Sequence, residues 1–102
     1  MIARFWRGWT SAADADAYET LLRTRIFPHI RETPGSRGAH LLRRDAEDGA
    51  EFVTITYFES MDAVRAFAGD DLTLAVVPPE ARALLSRFDE RSVHYDVVEA
   101  PE

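Results

Sequence analysis

Three histidines, His29, His40 and His94, are the only side chains here whose ordinary pKa, about 6.5, suits a proton acceptor at neutral pH. His94 sits in the apolar run Val93 to Val98, with parity opposite to Tyr95, and reads either as a base or as a satisfied core or interface histidine. His40 shares a strand face with Leu42 and Arg44, and a catalytic and a structural reading are equally open. His29 follows Pro28 at a helix end, where it is expected to meet solvent or the last carbonyls. Arg7 alternates with Phe5 and Trp9 along one strand. If that face lines a pocket, the guanidinium lies among aromatic rings and can hold a phenolate or carboxylate. Its competing reading is an ordinary salt bridge to one of eighteen acids. Trp6 and Trp9 differ by an odd number, so only one of them can face the same pocket. Tyr57 and Phe67 are candidate contacts for an aromatic substrate, though residues of these types are more often core than ligand contacts.

Other chemistries are closed off by what the chain lacks. All twelve residues counted as Lys or Arg are arginine, and there is no cysteine, asparagine or glutamine. A lysine Schiff base, a cysteine nucleophile and an asparagine oxyanion donor are therefore excluded, as are disulfides and thiolate metal sites. His and Asp are scattered, with only His94 and Asp96 two apart on one face, and no metal site is expected. Gly35 and Gly38 belong to a turn, not to a phosphate-cradling loop. A net charge of −6, spread along the chain, repels phosphate backbones, so no nucleic-acid partner is expected. The start, Met1 to Trp6, has no apolar run of signal-peptide length and nothing later approaches a membrane span, so the expected compartment is the cytoplasm, with no membrane partner.

The elements that must position these residues follow from periodicity. Ile2 to Trp9 reads as a strand with apolar residues on both faces: Ile2 and Trp6 on one, Ala3, Phe5 and Trp9 on the other. Ser11 is a candidate cap for a helix whose stripe is Tyr18, Leu22, Ile26 and Ile30, interrupted by Pro28. After the turn Thr33 to Ser36, Gly38 to Arg44 reads as a strand, with Asp48-Gly49 as the tight turn into Glu51 to Phe58. Ser60 caps a helix from Met61 to Ala68 and Gly69 stops it. Pro78-Pro79 opens a short helix expected to run to Arg87, and Val93 to Val98 is a last strand. Residues 1–99 form one domain in this reading, and residues 100–102 a frayed tail.

The order β-α-β-β-α-β is the split βαβ pattern, an α+β class with a ferredoxin-like, antiparallel four-stranded sheet and helices on one face. Two helices cover one face only, yet the first and third strands are apolar on both. A second copy packed on the bare sheet face resolves this, so a homodimer is expected. A 102-residue chain removes only about 60–65% of its extended surface from water, which also favours association.

The strand Ile2-Ala3-Arg4-Phe5-Trp6-Arg7-Gly8-Trp9-Thr10, the Pro34-Gly35 turn, and Val53-Thr54-Ile55-Thr56-Tyr57-Phe58-Glu59-Ser60 before a short helix resemble the antibiotic-biosynthesis-monooxygenase family. The resemblance spans roughly Met1 to Glu99. It implies a dimeric α+β barrel with a pocket between sheet and helices in each subunit. Some relatives oxidise polycyclic phenols to quinones without metal or flavin, others degrade haem. The haem degraders' asparagine, tryptophan and histidine fall at about Arg7, Phe67 and Val77, so haem degradation of that type is not expected. What the resemblance implies here is a cofactor-independent monooxygenase acting on a small aromatic, phenolic or quinol-like compound. Such chemistry needs a base, a stabiliser for developing negative charge and an apolar cavity. His40 or His94 would be the base and Arg7 the stabiliser, with Trp9, Tyr57 and Phe67 as contacts. The alternative is a non-catalytic dimeric protein that binds a small apolar molecule or haem.

Overall fold

The computed structural model describes residues 1–101; of the expected frayed tail, Glu102 lies outside them. Strand β1 (Ile2–Thr10) leads through a turn into α1 (Ala15–Leu21), which passes without a break into a π-helical segment, Leu22–Ile26, and then α2 (Phe27–Arg31). Pro28 explains the widened turns. It has no N–H to offer Thr24 and its ring crowds that carbonyl, and a local π segment accommodates both. Ser11 does accept the Asp14 N–H at 3.2 Å, but the helix proper begins four residues later than Ser11.

Strands β2 (Ser36–Ala46) and β3 (Gly49–Phe58) form a hairpin across Glu47 and Asp48. The turn is tight enough that a Cβ on Gly49 would sit 2.1 Å from the Thr10 carbonyl oxygen, and its φ of +148° also suits glycine. Ser60 caps α3 (Met61–Ala68), its hydroxyl accepting the Ala63 N–H, and Gly69 ends it at φ +87°.

Beyond α3 the expectation and the structure part. The helix opened by the prolines is only α4 (Pro79–Arg82), and Leu85–Phe88 is a strand, β4. The last strand, β5, is Val93–Asp96. The sheet is antiparallel in the order β2-β3-β1, with β4 and β5 both beside β1 at opposite ends. Hence there are five strands where four were expected, but only four ranks. Pairing wins over helix at Leu85–Phe88 because Gly8–Thr10 would otherwise keep an unpaired edge.

The helices cover one face. Against them β3 presents Phe52, Thr56 and Phe58, all buried, with Tyr18, Leu22, Phe27 and Ile30 from the first helix and Val64 from α3. Arg43 fastens the helix to the sheet, donating to Asp16, Glu19 and Asp45. The opposite face carries Phe5, Leu42, Val53, Ile55, Tyr57, Val93 and Tyr95; among the described residues no helix covers it, and residues 97–101 border it. Among the described residues no helix is long and apolar enough to cross a membrane.

Candidate functional site

Register decides which side chains meet. On β1 the even positions face the helices, so Arg4 and Trp6 point inward with Thr54 and Thr56 of β3. Between them and the helices lies a cavity closed by Tyr18, Leu22, Ile26, Phe27 and Ile30 on one side. Phe67, Val76, Val77, Pro78, Ala81 and Ser92 complete the wall. About 60 Å³ is open inside, room for a few waters. Gly8 allows the Trp6 ring to lie across the strand, since a Cβ there would come within 2.7 Å of it. The Trp6 indole N–H donates to the Asp89 carbonyl at 2.7 Å, which holds the ring in the wall.

Arg4 is the one cation of this wall and is only 4% exposed. Its Nη1 donates to the Leu72 carbonyl at 2.5 Å and approaches His94 Nε2 at 2.9 Å, and its Nη2 donates to the Leu74 carbonyl at 2.7 Å. Among the described residues no carboxylate lies within ion-pair distance of it. Burial lowers its pKa to about 10, which leaves it charged at neutral pH. Because Arg4 has only protons to give, His94 Nε2 is the acceptor and the imidazole proton is on Nδ1. Burial, and then the Arg4 charge, lower the His94 pKa and keep the ring neutral. The result is an unneutralised positive charge beside a pocket of aromatic and aliphatic groups, a setting that favours an organic anion. Burial also raises the Tyr18 pKa, so that phenol stays protonated.

The sequence profile of one family, described as antibiotic biosynthesis monooxygenase, matches residues 1–79. The chain belongs to the antibiotic biosynthesis monooxygenase family. A solved mutant of SnoaB, a cofactor-independent oxygenase from Streptomyces nogalater, superposes with a TM-score of 0.68 at 22% identity, over 99% of this chain and 98% of that one. MhuD, a haem degrader from Mycobacterium tuberculosis solved with two haems in its active site, gives 0.63 at 16% identity, over the whole of both chains. Likeness at these identities concerns the fold. No curated protein matches the chain by sequence.

Within this member of the monooxygenase family the six candidate residues fall into three places. Phe67 lines the cavity, 5.7 Å from the Arg4 guanidinium, and His94 stands behind Arg4, outside the lining. His40 and Tyr57 meet each other on the uncovered sheet face, His40 Nδ1 being 3.1 Å from the phenol oxygen. Arg7 and Trp9 are also on that face, because odd positions of β1 point away from the helices. Arg7 pairs with Asp89 at 2.9 Å, and Trp9 is stacked under Arg87 at 3.7 Å. Arg7 therefore does not line the cavity; the residue that does is Arg4, three positions earlier and of the other parity. The signal for Arg4 is a lone charge between Ile2 and Trp6 on an apolar strand face. Thr54, Thr56 and Ser92 carry no such signal.

Proposed function

We propose that the chain is a cofactor-independent monooxygenase for a small phenolic or quinol-like compound bound in the cavity beside Arg4. The observation that carries the reading is a buried, uncompensated guanidinium in an aromatic-lined pocket. Family membership and the fold shared with SnoaB, a cofactor-independent oxygenase, support it. In the reaction a phenolate passes one electron to O2, and superoxide and the aryloxyl radical recombine, forming a C–O bond at the para carbon. The distal peroxide oxygen takes the proton from that carbon as the O–O bond breaks, leaving as hydroxide and turning the carbon into a carbonyl. Phenol plus O2 gives quinone plus water. Arg4 holds the oxyanion and stabilises negative charge as it moves towards O2, while Trp6, Phe67 and the strap Leu72 to Pro78 keep water away.

The functional unit in this proposal is a homodimer closed sheet to sheet. Leu42, Val93 and Tyr95 are 49%, 48% and 56% exposed on the uncovered face, beside Phe5 and Ile55. His40, Tyr57, Arg7 and Trp9 then become interface residues.

Oxygen uptake with a panel of phenols and hydroquinones in metal-free buffer tests the reading. Arg4→Met should lower kcat by about 100-fold or more, and Arg4→Lys by less. Ligands that bind without any oxygen uptake across the panel would instead identify a small-molecule binding protein.

A further inference from the structure

We infer that the cavity takes its ligand already ionised: it selects a phenol or enol that is an anion in solution, because the cavity holds a charge to receive the anion and no group to make it. The inference rests on the placement of the ligand beside Arg4. The lining supplies the argument. Its titratable groups are Arg4 from β1 and Tyr18 from α1, and no Asp, Glu, His or Lys is among the residues of the wall. Arg4 donates only, the Tyr18 phenol is held protonated by burial, and Thr54, Thr56 and Ser92 are hydroxyls of negligible basicity at neutral pH. From α3 the wall receives Phe67, from the strap Val76 and Val77, and from the first helix only apolar side chains besides Tyr18.

Among the described residues the base in contact with Arg4 is His94, and it is doubly unavailable. It stands behind Arg4 and not in the wall, and its only lone-pair nitrogen already accepts from Arg4 at 2.9 Å. A proton delivered there would break that bond and set imidazolium against guanidinium. His94 is therefore a positioning residue that orients Arg4. Of the charged groups near the strap, Asp71 and Arg91 are paired with each other and both exposed, Asp89 is paired with Arg7, and Asp70 and Glu90 are exposed; none of them is in the wall. A neutral phenol entering the cavity would thus keep its proton. An anion arrives with no transfer needed and meets the uncompensated charge directly.

Binding of a graded series of nitro-, chloro- and unsubstituted phenols, followed by calorimetry on the intact protein from pH 5 to 9, tests this. For each phenol the affinity should rise about tenfold per pH unit below that phenol's own pKa and level off above it. The break point should move with the ligand through the series. The corresponding methyl ethers, which cannot ionise, should bind at least about tenfold more weakly than the anion at the plateau, a difference near 1.4 kcal/mol. Arg4→Lys should retain the moving break point. A break at one fixed pH for all ligands would assign the proton transfer to the protein and overturn the inference, as would pH-independent binding or no binding of any member. Binding that behaves as expected without oxygen uptake leaves this inference standing and removes only the proposed oxygenation.

Discussion

A guanidinium shut away from water without a carboxylate is costly, and Arg4 tolerates it through two carbonyls and one imidazole. That dependence makes His94 a determinant of stability as well as of orientation. Its pKa is lowered in the folded chain, so below about pH 6.5 the unfolded chain binds the proton first. Stability from this group is complete above that pH and is lost as pH falls towards the lower folded value. In thermal melts from pH 8 to 5, His94→Gln should flatten the wild-type decline, because an amide oxygen accepts from Arg4 without titrating. Parallel curves for the two proteins would show that His94 is not responsible.

Short elements carry disproportionate weight in a chain this small. The β2–β3 hairpin aligns Thr54 and Thr56 with Arg4 and Trp6, and its turn depends on Gly49 lying against the Thr10 carbonyl. Gly49→Ala should cost about 2–4 kcal/mol in urea unfolding, since the methyl group has nowhere to go and the backbone angle is unfavourable. A loss below about 0.5 kcal/mol would mean that the turn relaxes freely. Ser60→Ala, removing the cap of the helix that presents Phe67, should cost about 1 kcal/mol and roughly 4–8 °C in Tm. The strap is pinned by different means, with Ser92 N–H donating to the Thr73 carbonyl and Ala75 N–H to the Glu90 carbonyl.

For the whole molecule the question is what covers the second face of the sheet. Leu42 and Val93 are about half exposed in one chain, so charging them should leave the fold intact while making apolar contact between two copies unfavourable. The double variant Leu42→Glu, Val93→Asp should sediment as a monomer with an unchanged circular dichroism spectrum, where the parent should sediment as a dimer. A parent that is monomeric at micromolar concentration would remove the sheet-to-sheet dimer from the proposal. The cavity lies on the other side of the sheet, under the helices, and its lining comes from one chain.

Local pattern alone determined the elements whose cause is local. Alternation specified β1 and β3, the Ser60 hydroxyl and Gly69 specified the ends of α3, and Pro28 marked the disturbed helix. The excess of apolar residues on both strand faces was equally plain. Leu85–Phe88 was not legible, because four residues after a proline-opened turn become a strand only when a distant edge, Gly8–Thr10, is there to pair with. The site was decided by tertiary structure for the same reason. Parity separates Arg4 from Arg7 on paper, but which parity faces the helices depends on how the whole sheet is covered. Nothing local places His94 behind Arg4, ninety residues away, with its lone pair already taken.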